Sequence, residues 1–161
     1  MIRYAFLDKR EKERWLPILF DLLYENMHEI APSGISYTAE RETWLVEVSS
    51  ALERTPREII LALAGGRPVG YLQYYTRGDL LMIEELQLHA AFHRTLLFGD
   101  ICKYLWRQLP DNITRVEACA DKRNLHSLAL MKKLGMERIE EDAFVHLSGD
   151  LATLRKRLIR K

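Results

Sequence analysis

The chain has 161 residues, 48% of them hydrophobic and 29% charged, which fits one compact domain over residues 1–161 with a substantial core. Lys and Arg number 24 against 23 Asp and Glu, so the net charge of +1 gives no global electrostatic argument for nucleic acid or an anionic membrane as a partner. The charged segment Met1–Trp15 lacks the apolar block of a signal peptide, and no apolar run is long enough to span a bilayer. Cys102 and Cys119 form no CxxC pair, so the expectation is a cytoplasmic protein with reduced thiols.

Taken in chain order, Ile2–Leu7 is a short apolar run and a predicted first strand. Trp15, Leu19, Leu22, Leu23 and Ile30 recur at helical spacing, with Asp8 and Glu11 in the pattern of a capping box. Pro17 lacks a backbone donor, which places the start of the regular helix just before it. After the loop Ala31-Pro32-Ser33-Gly34, Trp44, Val48, Ala51 and Leu52 mark a second helix that Pro56 helps to end.

A strand-rich block follows. Glu58–Ala64 reads as a buried strand, Gly65-Gly66 as a hairpin turn, Val69–Thr76 as a Tyr-rich strand, and Leu80–His89 as a third strand after the turn Arg77-Gly78-Asp79. Phe98, Ile101, Cys102, Leu105, Trp106 and Leu109 lie on one helical face that Pro110 stops. Then come a strand at Ile113–Ala120, a helix at Asn124–Leu134 with Gly135 as C-terminal cap, a strand at Phe144–Leu147, and a last helix lined by Leu151, Leu154 and Leu158. The order β-α-α-β-β-β-α-β-α-β-α predicts a mixed α/β fold. Its sheet is mostly antiparallel, with helices on both faces and one right-handed parallel crossover from Leu80 to Ala120.

Ligands favour the carboxyl ends of parallel strands in such sheets. Here that edge is Leu88–Gly99, which leaves a strand and opens a helix whose free amides and dipole suit phosphate, with Arg94 as an added cation.

The stretch Ile83–Leu105 resembles motif A of the GNAT (GCN5-related N-acetyltransferase) family, and Asn124–Met136 (NLHSLALMKKLGM) resembles its motif B. The element order matches that fold over nearly the whole chain. The resemblance implies an acetyl-CoA-dependent N-acetyltransferase with no metal, acting on a small-molecule or protein amine, as a monomer or homodimer. Coenzyme contact is expected at Leu88, His89, Ala90, Arg94, Thr95, Leu96, Leu97, Phe98, Gly99 and Asn124. The backbone N–H of Leu88 is the implied oxyanion donor.

Two departures from the family pattern stand out. With Arg94 at the first position of Gln/Arg-x-x-Gly-x-Gly/Ala, Gly99 is kept but Leu97 replaces the first glycine, putting a bulky side chain where backbone should approach phosphate. Met131 occupies the place of the usual Tyr general acid. These changes leave a second reading open, an acyl-CoA-binding or protein-interaction module with little or no catalysis.

A general base is expected from the third strand of the meander, at Glu84 or Glu85. Adjacent strand residues face opposite sides unless a bulge intervenes, and family spacing favours Glu84. Asn124 also suits a plain helix N-cap. The His89/His93 spacing straddles a loop, which disfavours a metal. Cys119 with His126 could form a thiol nucleophile and its base, though a strand cysteine is more often a small buried hydrophobe. Tyr71, Tyr74 and Tyr75 suit packing or an acceptor pocket. The basic residues Arg155, Lys156, Arg157, Arg160 and Lys161 read as a solvated helix end rather than a nucleic-acid patch.

Overall fold

The computed structural model describes residues 1–160. Among them seven strands form one sheet: β1 (Ile2–Phe6), β2 (Glu58–Ala64), β3 (Arg67–Arg77), β4 (Leu80–Leu88), β5 (Arg115–Asp121), β6 (Glu137–Glu141) and β7 (Phe144–Asp150). Their spatial order is β1-β2-β3-β4-β5-β7-β6, and β4–β5 is the one parallel pair among the described residues. The same residues form five α-helices: α1 (Lys12–Met27), α2 (Tyr37–Arg54), α3 (Leu97–Gln108), α4 (Leu125–Lys133) and α5 (Leu151–Ile159).

The two faces of the sheet are covered by different helices. Leu16, Leu19 and Leu22 of α1 and Val48 and Leu52 of α2 pack on Ile59, Leu61, Leu63 and Tyr71. On the opposite face Ile101 and Leu105 of α3, Leu128 of α4, and Leu154 and Leu158 of α5 pack on Ile60, Leu72, Leu81, Val116, Val145 and Leu147. This explains the unbroken apolar run of β2, whose side chains meet a helix layer on either side. Each large aliphatic side chain so buried contributes about 1.5–3 kcal/mol, and the two clusters hold the sheet between its layers.

Local chemistry accounts for the turns. Gly65 and Gly66 both have positive φ, at 56° and 80°, as a two-residue hairpin demands. Ser36 caps α2 through the Ala39 amide, and Gly135 at φ 92° follows α4 as its left-handed terminator.

Three expectations change. Helix α1 starts at Lys12 and runs through Pro17; the carbonyl deprived of a donor belongs to Glu13, in an exposed first turn where water can serve it. The capping box is absent, because Asp8 accepts from Arg10 in a preceding 3₁₀ turn and α1 has no side-chain cap. Strand β6 was not expected: all five of its residues, ERIEE, are exposed on the sheet's edge, so no apolar alternation marks it.

Candidate active site at the parting of strands 4 and 5

Strands β4 and β5 pair only from Leu80–Arg115 to Ile83–Ala118; beyond that, Glu84–Leu88 and Cys119–Asp121 run on without pairing to each other. A slot opens between them. The N–H of His89 donates to the Val69 carbonyl at 2.8 Å, while Leu88 stands opposite Gly70. Antiparallel bonding alternates along a strand, so the Leu88 N–H and carbonyl point away from β3, towards the slot. The family resemblance implies an oxyanion donor at this residue. Gly70 permits the close approach: a Cβ there would lie 2.7 Å from Leu88 Cδ2.

The base candidates stand at the mouth of this slot. Between the pairs Gln73–Glu85 and Tyr74–Ile83 the register slips by one residue, so Glu84 is the extra residue of a β-bulge. The bulge lets both carboxylates address the face that carries α1 and α2. Glu84 Oε1 accepts from Arg57 Nε at 2.6 Å and from Gln73 Nε2 at 3.5 Å, and the Arg57 guanidinium lies 4.8 Å over the Tyr75 ring.

Glu85 has no cationic partner among the described residues; its bond comes from Gln87 Nε2 at 2.6 Å. Burial pushes Glu85 up from the ordinary 4.5 to about 7, opposed by the Gln87 hydrogen bond and assisted by the neighbouring Glu84 charge. Glu84, the residue favoured by family spacing, is therefore the ion-paired carboxylate, and Glu85 is the one with a proton affinity suited to neutral pH.

Other side chains complete this face. Tyr71 is fully buried, its hydroxyl has no hydrogen-bond partner among the described residues, and burial followed by Glu85 raises its pKa well above 10. Tyr74 turns to the α3 face, as strand alternation requires. Cys119 faces His146 across β5–β7, not His126, and His146 Nε2 lies 3.4 Å from Asp142 Oδ1. Burial, then Glu85, Glu84 and Asp142, push the Cys119 thiol up, the opposite of what a nucleophilic thiolate needs.

At the far end of the slot lies the turn into α3. Ala90–Phe92 forms a short 3₁₀ turn capped by His89, whose Nδ1 accepts from the Ala91 amide at 3.2 Å. His93 Nε2 bonds the Leu88 carbonyl at 2.9 Å. Both histidines serve the loop, and no group of three or more His, Cys, Asp or Glu side chains could hold a metal among the described residues.

Arg94 has φ 65°, the left-handed region that a side chain adopts at a cost of about 1–2 kcal/mol. Leu97 is only 4% exposed and belongs to the α3 core cluster, so its bulk turns inward rather than into the turn. Its amide bonds Thr95 Oγ1 at 3.3 Å, which leaves the Phe98 and Gly99 amides as open donors of the first helical turn. A Cβ on Gly99 would meet nothing within 4 Å. The fold itself does not require glycine there, but an anion approaching the helix start would benefit from it.

Asn124 caps α4 by accepting from the Ser127 amide at 3.2 Å, and its Nδ2 faces Met27 Sδ at 3.6 Å. Arg123 reaches the Pro32 carbonyl at 3.5 Å, so the α1–α2 loop borders the slot on the side of the carboxylates. The basic C-terminal helix is partly spent on packing, with Arg155 over Trp106 and Arg157 bonded to the Lys133 carbonyl.

Solved structures of the same architecture are numerous. An acetyltransferase from Thermus thermophilus superposes with a TM-score of 0.73 at 16% identity, over 94% of this chain and 97% of that one. The PaiA N-acetyltransferase of Thermoplasma acidophilum, in complex with coenzyme A, gives 0.68 at 13% identity over 93% and 99%. A GNAT-family acetyltransferase from Staphylococcus aureus gives 0.68 at 11% identity over 94% and 99%. No protein-family model and no curated protein matches the sequence. The chain has the GNAT fold, a seven-stranded mixed sheet with the parted β4–β5 pair at its centre.

Proposed function

We propose that the protein is an acetyl-CoA-dependent N-acetyltransferase that acylates a primary amine by direct attack on the thioester. The observation that carries this reading is the slot itself. Beyond Ile83 and Ala118 the strands part, the Leu88 N–H points into the gap, and Glu85 waits at its mouth with a proton affinity near neutrality.

The chain's residues divide the work as follows. The open amides of Phe98 and Gly99, with Arg94 beside them, hold the pyrophosphate at the start of α3. The family resemblance adds His89, Ala90, Thr95, Leu96 and Asn124 as further coenzyme contacts. When bound, acetyl-CoA supplies the activated acetyl group. Glu85 takes the proton from the incoming ammonium, directly or through water, which turns the acceptor into a nucleophile. The Leu88 N–H donates to the carbonyl oxygen as negative charge grows on it. Glu84 is best read as the partner of Arg57, holding the bulge in shape.

Met131 supports the second reading, an acyl-CoA-binding module with little turnover. It is partly buried against the α3 core, and a thioether there cannot protonate a departing thiolate.

Calorimetric titration with acetyl-CoA tests binding first, with coenzyme A and adenosine diphosphate as controls. A screen of primary amines for free thiol release then tests turnover. Binding without thiol release from any amine selects the second reading; no binding at millimolar coenzyme removes both.

A further inference from the structure

A chain of side-chain amides joins the Leu88 peptide to Glu85. The Asn26 side chain, on the last turn of α1, spends both protons of Nδ2: one goes to the Leu88 carbonyl at 2.8 Å, the other to Gln87 Oε1 at 3.0 Å. Gln87 is 8% exposed, and its Nε2 donates to Glu85 Oε1 at 2.6 Å. His93 Nε2 meets the same Leu88 carbonyl at 2.9 Å.

The polarity of this chain is fixed at its start. A carbonyl can only accept, so Asn26 must present its amide nitrogen to Leu88. That nitrogen also faces Gln87, so Gln87 must present oxygen to Asn26 and nitrogen to Glu85. Turning either amide over would set oxygen against oxygen at one or two of these contacts, and an unsatisfied buried polar group is costly. With one Asn26 proton held by the Leu88 carbonyl, the other runs through Gln87 towards Glu85, whose Oε1 accepts at the end of the chain.

We infer that Asn26 and Gln87 are positioning residues that aim Glu85 into the mouth of the slot and register it against the Leu88 peptide, so that proton acceptor and oxyanion donor are set by one network. The inference rests on the acyltransferase reading for its role, but the network can be tested without any substrate.

The other groups facing Glu85 are Glu84 beside it on β4, Tyr71 on β3 and Cys119 on β5. Arg57 pairs with Glu84 and not with Glu85. None of these donates a hydrogen bond to Glu85, so the Gln87 donor is the main influence that favours its ionised form.

The experiment is a ¹³C NMR titration of the Glu85 side-chain carboxyl in the full chain, assigned by its loss in Glu85→Gln. The wild-type midpoint is expected near the 7 that burial and Gln87 together produce. In Gln87→Met, which keeps the volume and removes the donor, the midpoint is expected to rise by about one pH unit. In Asn26→Leu, which never touches Glu85, it should rise by less, because a freed Gln87 spends part of its time turned over. Asn26→Asp reverses the chain by forcing Gln87 to donate away from Glu85, and should raise the midpoint more than Asn26→Leu. Midpoints unmoved in Gln87→Met and Asn26→Leu would overturn the inference. Should Gln87→Met fail to fold, the two Asn26 variants decide it alone. Acetyl-CoA calorimetry on the wild type judges the acyltransferase reading separately, so the two failures are distinguishable.

Discussion

Glu85→Gln should make the protein more stable at alkaline pH while destroying its proposed activity. An unfolded glutamate titrates near 4.5, and Glu85 in the fold titrates near 7. Between those values the native state binds the extra proton, so this group's contribution is fully present below the unfolded value and is lost as pH rises through about 7. At about 1.4 kcal/mol per pH unit the whole difference is about 3 kcal/mol. Partial contact with solvent at the slot mouth reduces the working figure to about 2 kcal/mol.

Glutamine keeps an oxygen for Gln87 to bond and never ionises, so it escapes the loss. Urea unfolding at pH 4.5, 6, 7 and 8, with an unchanged m value as the check on two-state comparison, reads the effect directly. The stability advantage of the variant over wild type should grow by about 2 kcal/mol from pH 4.5 to pH 8. A difference that stays flat with pH would refute the claim that burial holds Glu85 at a raised proton affinity. With an accepted amine in hand, the same variant should lose about 100-fold or more in turnover.

The turn into α3 offers two variants in which stability and binding move in opposite directions. Gly99→Ala should raise stability by about 0.5–1 kcal/mol, since the new methyl meets nothing and alanine favours the helix, while acetyl-CoA binding weakens in calorimetry. Arg94→Gly should relieve left-handed backbone strain worth about 1 kcal/mol and yet cost about tenfold in coenzyme affinity. Leu97→Ala removes a buried core side chain and should cost about 2–4 kcal/mol in urea unfolding. With a thiol reagent on native protein only the solvent-accessible Cys119 should react, slowly at neutral pH because partial desolvation and then the neighbouring carboxylates raise its pKa, and acetyl-CoA in the slot should protect it; Cys102, buried and raised to about 12, should wait for unfolding.

Periodicity and punctuation made most of this architecture legible. The α3 face, the β2–β4 meander and the Gly135 terminator all appear where apolar spacing and glycine placed them. Strand β6 was invisible because an exposed edge strand of charged residues has no inside to reveal. At the site, the strand-to-helix turn after β4 could be located from the order of elements, while the role of the Leu88 N–H came only with the family resemblance. The different surroundings of Glu84 and Glu85 could not be read there, because they depend on a one-residue bulge and on Arg57, which lies 27 residues away from Glu84 in the chain. Asn26 left no local signal either: its partners are 61 and 62 residues distant, and an asparagine near a helix end is ordinary. The direction of Leu97 was equally hidden, since the sequence shows its bulk and only packing shows that the bulk turns inward.

Met131→Tyr addresses the remaining divergence between the two functional readings. The residue sits on α4 and packs partly against the α3 core, so a tyrosine there must keep its ring on that apolar surface and carry its hydroxyl past it. If departure of the thiol already proceeds unassisted, a new acid adds little. A thiolate with a pKa near 8.5 is a fair leaving group, and the gain should stay within about tenfold, largest where pH falls below that value. If the wild type is a binding module whose missing acid is what stops it, the variant should release thiol in an amine screen where the wild type releases none. Equal and measurable turnover in both proteins would show that departure of the thiol does not limit the rate.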